Sequence, residues 1–269
     1  MKKNKIKQSV LNNFKKKSLL RCVGYRKTLL AISQKVTALH IGGSFSCFEI
    51  LDCLYFYFNT KKKSKIILSK GHAGIAQYIV LEKLKLITKK FLFSYCKNNS
   101  KLGVHPEIFN PGILASTGSL GHGLAIGAGM AIANKKETIY IILSDGELME
   151  GSVWEAALFI ASNNINNLVL IIDNNNLQSA TSNKDTHPTL TPIDKKFKFF
   201  GWETSISNGH KQEEIIYKIN KRKKDKPFVL IAKTIKGYPI SFMSNKPIWH
   251  YRSPNREEYL KAVKELNEK

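Results

Sequence analysis

The sequence predicts an α/β domain in three layers, with a mostly parallel sheet flanked by helices. Four runs rich in β-branched and other apolar residues are typical of buried strands, and they span 66–68, 138–143, 168–172 and 226–232. Helical stretches lie between these runs, and strands that alternate with helices favour a parallel sheet. A chain of 269 residues suits one such domain, so we expect residues 1–269 to fold as a single unit.

The expected elements follow one another with few long loops. A basic N-terminus, frayed over about residues 1–9, leads into a helical pattern that extends from Ile6 to His40. Further helices are expected at 45–58, 73–86, 88–95, 124–133, from 151 onward, at 191–200, up to 221 and at 255–268. A fifth strand is expected at 202–207, and polar loops are expected at 96–112 and 179–190.

The composition is that of a globular protein. Hydrophobic residues make up 43% of the chain. No apolar run is long enough to cross a bilayer, and no signal-peptide core follows the basic start. The four cysteines, Cys22, Cys47, Cys53 and Cys96, form neither a CxxC pair nor a metal-binding spacing. We therefore expect a reduced, cytoplasmic setting and no membrane partner.

The charge of the chain is strongly positive. Lys and Arg number 43 against 20 Asp and Glu, which gives a net charge of +23. Such a field attracts nucleic acid without sequence preference, and it also attracts anionic sugar phosphates. The lysines are spread along the chain, often beside Asn and Ile, so we interpret the charge mainly as compositional drift and expect no specific nucleic-acid partner. A basic nucleic-acid-binding module is the alternative from a different functional class.

Two of the predicted strands end in loops that carry side-chain oxygens. Ser144-Asp145-Gly146-Glu147 follows the strand at 138–143, and Asp173-Asn174-Asn175-Asn176 follows the strand at 168–172. In parallel α/β sheets ligands bind outside the carboxyl ends of the strands, so both loops can contact one ligand. The oxygens of Asp145 and Asn175 suit Mg²⁺ or Ca²⁺ and suit zinc poorly. Because two side chains make a weak cage, the pattern favours a metal that also binds a diphosphate.

These loops belong to a set of motifs that resembles one protein family. Asn175 follows Asp145-Gly146 at the spacing of the thiamine diphosphate motif, and the segments 116–123, 145–156 and 168–178 surround it in the same order. Together they resemble the N-terminal half of transketolase, as it occurs in the split, two-subunit form. The similarity extends from about Val10 to the C-terminus. The resemblance implies the thiamine diphosphate-binding fold of that half, the PP domain.

The resemblance implies thiamine diphosphate and Mg²⁺ as cofactors, with Ca²⁺ or Mn²⁺ as substitute metals. Asp145 and Asn175 are implied to bind the metal through their side chains, and Leu177 through its carbonyl oxygen. The residues implied to contact the cofactor are His72, Gly118, Ser119, Leu120, Asp145, Gly146, Glu147, Asn175 and His250.

Besides Ile41, where relatives often have proline, and the loop at Gly103-Val104, where the leading glycine is displaced by one, three positions lack a glycine of the family pattern. Ser144, Asn176 and Tyr251 stand where relatives have, or often have, glycine. Ser144 is small, so a diphosphate can still approach it closely. Among the amino acids, Asn is second only to glycine in its tolerance of a positive φ, which suits position 176. Tyr251 changes the loop beside His250.

Four histidines are implied to act on the substrate through proton transfer or hydrogen bonding: His40, His72, His105 and His250. A histidine pKa lies near working pH, which suits this role. The alternatives are a loop or helix-terminal imidazole for His40 and a helix cap for His72. Lys70 is either a functional cation or a solvated one. We expect His187 at the surface and His210 in a structural role.

The implied reaction is transfer of a two-carbon ketol unit from a ketose phosphate to an aldose phosphate, in the pentose phosphate pathway. The activating glutamate of the family lies in a pyrimidine-binding domain whose motifs are not present here. We therefore expect activity only with a C-terminal, pyrimidine-domain subunit, in a two-fold heterotetramer. The face formed by Gly123, Gly127 and Ala131, and the helix from Gly151, are the expected contact surfaces. Alternatives are a transketolase-like subunit of a specialised pathway and a non-catalytic interaction protein.

Overall fold

The computed structural model describes residues 2–36, 39–60 and 64–268, and the side chains within those ranges from Ser9 onward. The first helix begins at Lys2, and Met1 lies outside the described residues. Fraying over about residues 1–9 therefore stays a prediction. No helix within the described ranges is long and apolar enough to span a membrane.

Helices and strands alternate along the chain. The first half contains α1 (Lys2–Ser33), α2 (Ile41–Ser46), α3 (Phe48–Cys53), a π-helical turn (Leu54–Phe58), β1 (Ser64–Leu68), a 3₁₀ turn (Gly71–Ala73), α4 (Gly74–Lys83), α5 (Lys89–Leu92), α6 (Gly123–Ala133) and β2 (Thr138–Ser144). The second half contains a 3₁₀ turn (Gly146–Met149), α7 (Gly151–Ser162), β3 (Leu168–Asn174), β4 (Leu177–Gln178), β5 (Thr181–Ser182), α8 (Asn183–Thr186), a 3₁₀ turn (Pro188–Leu190), α9 (Ile193–Phe199), β6 (Glu203–Asn208), α10 (Gln212–Lys221), β7 (Phe228–Lys233), a 3₁₀ turn (Pro247–His250) and α11 (Arg256–Asn267).

Five strands form one sheet in the order β1-β2-β3-β7-β6, and each neighbouring pair is parallel. β4 and β5 form a separate antiparallel pair. Ser144 at the end of β2 is in register with Asp173 of β3, and Asp173 is in register with Ala232 of β7. The carboxyl ends of the central strands therefore reach the same level.

Helices cover both faces of the sheet because the strand side chains alternate between two apolar cores. Tyr140 and Ile142 of β2 belong to the core that includes α1, α3, α4, α10 and α11. Ile139, Ile141 and Leu143 of the same strand belong to the core that includes α6, α7 and α9. Burial on both faces explains why the central strands β2, β3 and β7 are nearly continuous apolar runs. The predicted three-layer α/β fold with a parallel sheet is confirmed.

The helix expected at 45–58 is interrupted. It is divided among α2, α3 and the π-helical turn, and Cys47 separates α2 from α3 with φ −106 and ψ 5. Ser46, at the end of α2, donates a hydrogen bond from Oγ to Asp173 of β3. This tertiary contact fixes the end of α2 against the sheet, which a local helical pattern cannot reveal.

The small-residue face of α6 packs against the sheet of its own chain. A Cβ added to Gly127 would lie 2.2 Å from Ile141 Cδ1 in β2. Gly123 and Ala131 on the same face are also buried. This corrects the expectation that Gly123, Gly127 and Ala131 contact another subunit. Their lack of bulk lets α6 approach β2 closely, and the opposite face of the helix is the one that is exposed.

Candidate active site

A cavity of about 290 Å³ lies at the carboxyl ends of the sheet strands. Residues that closely follow β1, β2, β3 and β7 line it, namely Lys70, Gly146, Asn175 and Lys236. We call it the strand-end cavity. Its position agrees with the expectation that loops after parallel strands meet over one ligand.

Most of the site residues expected from the sequence line this cavity: His40, His72, His105, His250, Gly118, Leu120, Gly146, Asn175 and Leu177. Ser119 does not line it. This residue belongs to a neighbouring depression that also includes His122, whose Nδ1 lies 3.1 Å from the Ser119 carbonyl oxygen. Asp145 and Glu147 are fully buried and lie behind the lining residues.

Asp145 is the first residue after β2, and the protein already satisfies much of its hydrogen-bonding capacity. Its carboxylate accepts hydrogen bonds from Asn174 Nδ2 at 2.8 Å, Asn176 N at 2.5 Å and Gly146 N at 2.9 Å. Asn176 has a φ of 61°, a left-handed backbone conformation that Asn tolerates better than most other residues. Burial raises the pKa of Asp145 to about 6 despite these bonds. A nearby divalent cation would favour the ionised carboxylate.

The residues present fit a metal that is shared with a diphosphate. Asn175 and Leu177 line the cavity next to the Asp145 loop, and Asn175 Oδ1 accepts a hydrogen bond from Leu177 N at 3.1 Å. In the described part of the chain, no group of three or more His, Cys, Asp or Glu residues could hold a metal ion. One carboxylate, one amide and one carbonyl are hard oxygen donors that suit Mg²⁺, and further ligands would come from phosphate oxygens.

Glu147 does not face the cavity, which differs from the cofactor contact expected for it. The 3₁₀ turn after Asp145 carries its side chain inward. There its carboxylate accepts hydrogen bonds from Ser69 Oγ at 2.5 Å, Gly121 N at 2.9 Å and Ser144 N at 3.4 Å. Burial raises the pKa of Glu147. The residue therefore ties together the loops after β1 and β2 and the loop before α6.

Lys70 and Asp173 form a buried ion pair beside the cavity. Lys70 Nζ donates hydrogen bonds to Asp173 Oδ2 at 2.5 Å and to the Gly43 carbonyl at 2.9 Å. Ser46 Oγ and Thr234 Oγ1 also donate to the Asp173 carboxylate. Burial lowers the pKa of Lys70, but Asp173 outweighs burial and holds the pKa above its ordinary value. Lys70 is therefore not a solvated cation; it joins the ends of β1, β3 and β7 to α2.

His40, His72 and His250 form a group that we call the histidine cluster. Their ring centroids are separated by 5.5 Å for His40 and His72, 4.9 Å for His40 and His250, and 5.5 Å for His72 and His250. Nδ1 of His40 and Nδ1 of His250 are buried and have no hydrogen-bond partner among the described residues. These two nitrogens therefore lack the hydrogen bond that a buried polar atom ordinarily has.

Burial and nearby cations keep the histidine cluster neutral. Burial, with smaller contributions from neighbouring groups that include Lys70 and Lys236, lowers the pKa of His40 to about 4 and that of His250 to about 3. The pKa of His72 is also lowered well below its ordinary value, chiefly by burial. A neutral imidazole has one nitrogen that donates and one that accepts, which suits sugar hydroxyls.

His105 lies apart from the histidine cluster, although it lines the same cavity. Its side chain is exposed, and it comes from the loop between α5 and α6. Its ring packs on Gly118, where an added Cβ would lie 2.7 Å from His105 Cγ and where φ is 150°. Tyr78 Oη donates a hydrogen bond to the His105 carbonyl at 2.9 Å. One side-chain contact and one backbone hydrogen bond thus hold this loop against the cavity.

The remaining two histidines lie elsewhere. His187 is exposed, as expected. His210 lies between Glu49 and the segment after β7: its Nδ1 is 3.1 Å from Glu49 Oε2, and its Nε2 accepts a hydrogen bond from Ile235 N at 2.9 Å. Because Nε2 accepts, Nδ1 carries the proton that bonds to Glu49. These contacts give His210 the structural role expected for it.

Lys236 is a cavity residue that the sequence motifs do not single out. It is buried, and its Nζ donates a hydrogen bond to the Ser179 carbonyl at 3.1 Å. Burial, with the nearby charge of Lys70, lowers its pKa to about 8. Unlike Lys70, it belongs to none of the ion pairs found in the described residues. Its position three residues beyond a buried strand is the sequence feature that could have predicted Lys236 as a cavity residue.

Comparison with known proteins establishes the family. A family model described as the thiamine diphosphate-binding domain of transketolase matches residues 57–266. The chain belongs to the transketolase family. The family predicted from the strand-end motifs is confirmed, and thiamine diphosphate is the cofactor of the matching domain.

Individual transketolase relatives agree with this assignment. The chain is 36% identical to one of the subunits of the apulose-4-phosphate transketolase of Phocaeicola vulgatus, over 91% of this chain and 92% of the relative. It is 33% identical to the 6-deoxy-6-sulfo-D-fructose transketolase subunit of a Clostridium species, over 90% and 93% of the two chains.

Solved transketolases share the fold. The structure of transketolase from Leishmania mexicana matches with a TM-score of 0.85 at 22% sequence identity. The match covers 93% of this chain but only 41% of that transketolase. The chain therefore has the thiamine diphosphate-binding fold of the PP domain, and it spans less than half the length of that solved relative.

Proposed function

We propose that this chain is the N-terminal, diphosphate-binding subunit of a transketolase that transfers a two-carbon ketol unit between sugar phosphates. The observation that supports the proposal is the set of residues that line the strand-end cavity. The histidine cluster, Lys236 and the oxygen-bearing loops after β2 and β3 all line or adjoin this cavity. Among the described residues, two nitrogens of the cluster have no hydrogen-bond partner and Lys236 has no ion-pair partner. Groups that suit sugar hydroxyls and groups that suit a diphosphate therefore share one cavity.

Thiamine diphosphate and a divalent metal complete this proposed site. Asp145, Asn175 and the Leu177 carbonyl would hold Mg²⁺, with Ca²⁺ or Mn²⁺ as substitutes. Lys236 would offset part of the diphosphate charge through a charge-assisted hydrogen bond. When bound, the cofactor supplies the carbanion chemistry that breaks and forms the carbon–carbon bond.

The histidines would position the sugar and move its protons. His40, His72 and His250 are neutral at pH 7, so each ring can accept a hydroxyl proton or share a hydrogen bond with a hydroxyl. His105 would contact the part of the sugar nearer to solvent, since it is the exposed member of the four.

Two substrate classes are candidates. The pentose phosphate pathway would use a xylulose-phosphate donor and a ribose-phosphate acceptor. A specialised sugar pathway is the second candidate, and the names of two relatives of nearly equal length favour it, since they refer to apulose 4-phosphate and to 6-deoxy-6-sulfo-D-fructose. Both classes need the same ketol transfer and the same cavity.

A second polypeptide would complete the enzyme. It would carry the pyrimidine-binding domain with the activating glutamate, and two relatives are themselves named as subunits. The outer faces of α6 and α7 are apolar and exposed at Ile126, Ile132, Leu158 and Phe159. We propose these faces as the contact surface, because obligate interfaces are large and apolar. Two copies of each subunit would form a two-fold assembly.

Complementation tests the proposal. The purified chain should show no ketol transfer alone, and it should gain turnover when mixed with the pyrimidine-domain chain encoded in the same genome, thiamine diphosphate and Mg²⁺. Xylulose 5-phosphate and apulose 4-phosphate, each with a ribose-phosphate or a triose-phosphate acceptor, distinguish the two substrate classes.

Asp145→Asn sharpens the test because it keeps the shape of the side chain but removes its charge. Turnover at limiting Mg²⁺ should fall at least about a hundredfold, since even outer-shell partners of a metal are worth about 10–100-fold. Asp185→Asn, at an exposed acidic residue of α8, is the control and should behave as wild type. Full turnover by the isolated chain, or wild-type activity of Asp145→Asn, would contradict the proposal.

A further inference from the structure

Tyr251 lies at the mouth of the strand-end cavity. It lines the cavity, yet 55% of the residue is exposed, so it must stand where the cavity meets solvent. It directly follows the 3₁₀ turn that ends at His250, with a right-handed backbone at φ −119 and ψ −9. Its position does not depend on an unusual backbone conformation.

The Tyr251 ring packs on two members of the histidine cluster. Its centroid is 4.4 Å from that of His250, at an interplanar angle of 85°, and 5.8 Å from that of His40, at 64°. Both are edge-to-face arrangements, which are favourable for aromatic pairs. The ring therefore covers the solvent side of these two imidazoles, whose Nδ1 atoms are buried.

The Tyr251 hydroxyl connects the two sides of the mouth. It forms a hydrogen bond with Ser179 Oγ in the turn between β4 and β5. Ser179 also lines the cavity and is exposed, so it too stands at the mouth. Its carbonyl accepts the hydrogen bond from Lys236 Nζ, which holds the turn from the inside of the cavity. Tyr251 and Ser179 thus form a bridge across the mouth, which we call the bar. Ring contacts with His40 and His250 hold it on one side, and the hydrogen bond from Lys236 holds it on the other.

We propose that Tyr251 is a specificity-determining residue that limits the length of the sugar chain accepted by the strand-end cavity. This inference rests on the proposed ketol transfer. A sugar whose inner hydroxyls contact the histidine cluster must place its outer carbons and phosphate at the mouth, where the Tyr251 ring occupies space. A short aldose phosphate fits inside the bar, whereas a longer one must displace the ring and break its contacts with Ser179, His40 and His250.

The kinetic test compares acceptors of two lengths in the assembled enzyme. The ratio of kcat/KM for ribose 5-phosphate to kcat/KM for glyceraldehyde 3-phosphate should rise about tenfold in Tyr251→Ala, which is within the range of one side-chain contact in a pocket. Tyr251→Phe should keep the wild-type ratio within about threefold because the ring remains. Tyr217→Ala is the matched control: Tyr217 is also 55% exposed but lies on α10, away from the cavity. An unchanged ratio in Tyr251→Ala, or the same rise in Tyr251→Phe, would overturn the inference.

A second measurement does not depend on ketol transfer. Diethyl pyrocarbonate modifies neutral, accessible imidazoles, and peptide mapping reports each histidine separately. In the full chain, Tyr251→Ala should accelerate modification of His40 and His250 several-fold and leave that of His187 unchanged, while Tyr217→Ala should change none of them. Equal rates in Tyr251→Ala and wild type would show that the ring does not cover the cluster. If the wild-type assembly transfers no ketol unit, the proposed function fails, and this labelling still decides whether Tyr251 closes the mouth.

Discussion

The nitrogens of the histidine cluster are oriented before any ligand arrives. His40 and His250 each keep a buried Nδ1 without a partner among the described residues, which an ordinary core avoids because an unmet polar group costs about 1–3 kcal/mol. The His250 ring packs edge-to-face on those of His40 and Tyr251. Such a cost is typical of a binding site, where the ligand supplies the missing hydrogen bonds.

At the residue scale we predict a pH dependence of stability. The folded-state pKa values of His40 and His250, about 4 and about 3, lie below the ordinary value of 6.5. Between these limits the unfolded chain binds more protons than the folded chain, so stability falls as the pH falls from 6.5 toward 4. Asp145 and Glu147 act in the opposite direction, because their folded-state pKa values are raised. The three histidines with lowered pKa values should outweigh them, so the melting temperature of wild type should drop between pH 7 and pH 5.

Replacing one cluster member by a residue that does not titrate should reduce this drop. We expect the difference in melting temperature between pH 7 and pH 5 to be smaller in His250→Gln than in wild type. His187→Gln, at an exposed histidine, should retain the wild-type difference. Thermal unfolding of the apo chain followed by circular dichroism measures both. An identical drop in His250→Gln and wild type would refute the assignment of the low pKa.

Individual site residues differ in how far the sequence could indicate them. Asn175 follows from the positions of two strand-end loops, because parallel strands bring those loops together. Leu177 is implied only by the family resemblance. Glu147 stands two residues from Asp145, but a 3₁₀ turn directs it inward, and no sequence motif encodes that rotation. Lys236 comes from the segment after the last strand, and only tertiary packing brings it to the cavity. The position of Tyr251 beside His250 was expected, but its contact with Ser179 could not be predicted from local sequence.

At the element scale, α6 has two faces with opposite requirements. Gly127 faces β2 so closely that an added Cβ would lie 2.2 Å from Ile141 Cδ1. Gly129, two residues later in the same helix, has no atom within 4 Å of an added Cβ. A motif of small residues reveals that a helix packs closely, but not whether its neighbour is the same chain or another. This is why the sequence predicted the close packing of α6 but assigned it to the wrong neighbour.

These two glycines give a prediction with an internal control. Gly127→Ala should destabilise the isolated chain by about 1–3 kcal/mol, because the core beneath α6 must shift. Gly129→Ala should stabilise it by about 0.5–1 kcal/mol, because alanine lowers the conformational cost of a helix interior without a new contact. Urea unfolding of both variants measures the free energies. Similar changes for the two variants would show that α6 does not pack as described.

The order of strands also lies beyond local sequence patterns. In the sequence β6 precedes β7, yet in the sheet β7 lies between β3 and β6. Four of the five strands were predicted because each contains an apolar run, whereas β6, at the edge of the sheet, is largely polar. The parallel arrangement was predicted from the helices between the strands. Their final neighbours depend on which edge each crossover reaches, and that is a property of the assembled layers.

At the scale of the whole molecule, the net charge of +23 has consequences outside the cavity. We predict weak binding of duplex DNA without sequence preference, with an affinity that falls linearly with salt concentration on logarithmic axes. Titration of two duplexes of equal length and different sequence, at about 50 mM and about 200 mM salt, measures both properties. Tight and sequence-selective binding at the higher salt would instead support a nucleic-acid-binding role.

The ion pair between Lys70 and Asp173 restricts which substitutions this chain can accept during evolution. Both side chains are buried, and the Asp173 carboxylate also accepts bonds from Ser46 and Thr234. Removal of one charge would strand the other in the interior, which costs about 3–5 kcal/mol, whereas replacement of both can be neutral. We therefore expect the two positions to vary together during evolution or not at all. Related chains that keep one charge and have lost the other, with no third residue to compensate, would contradict this expectation.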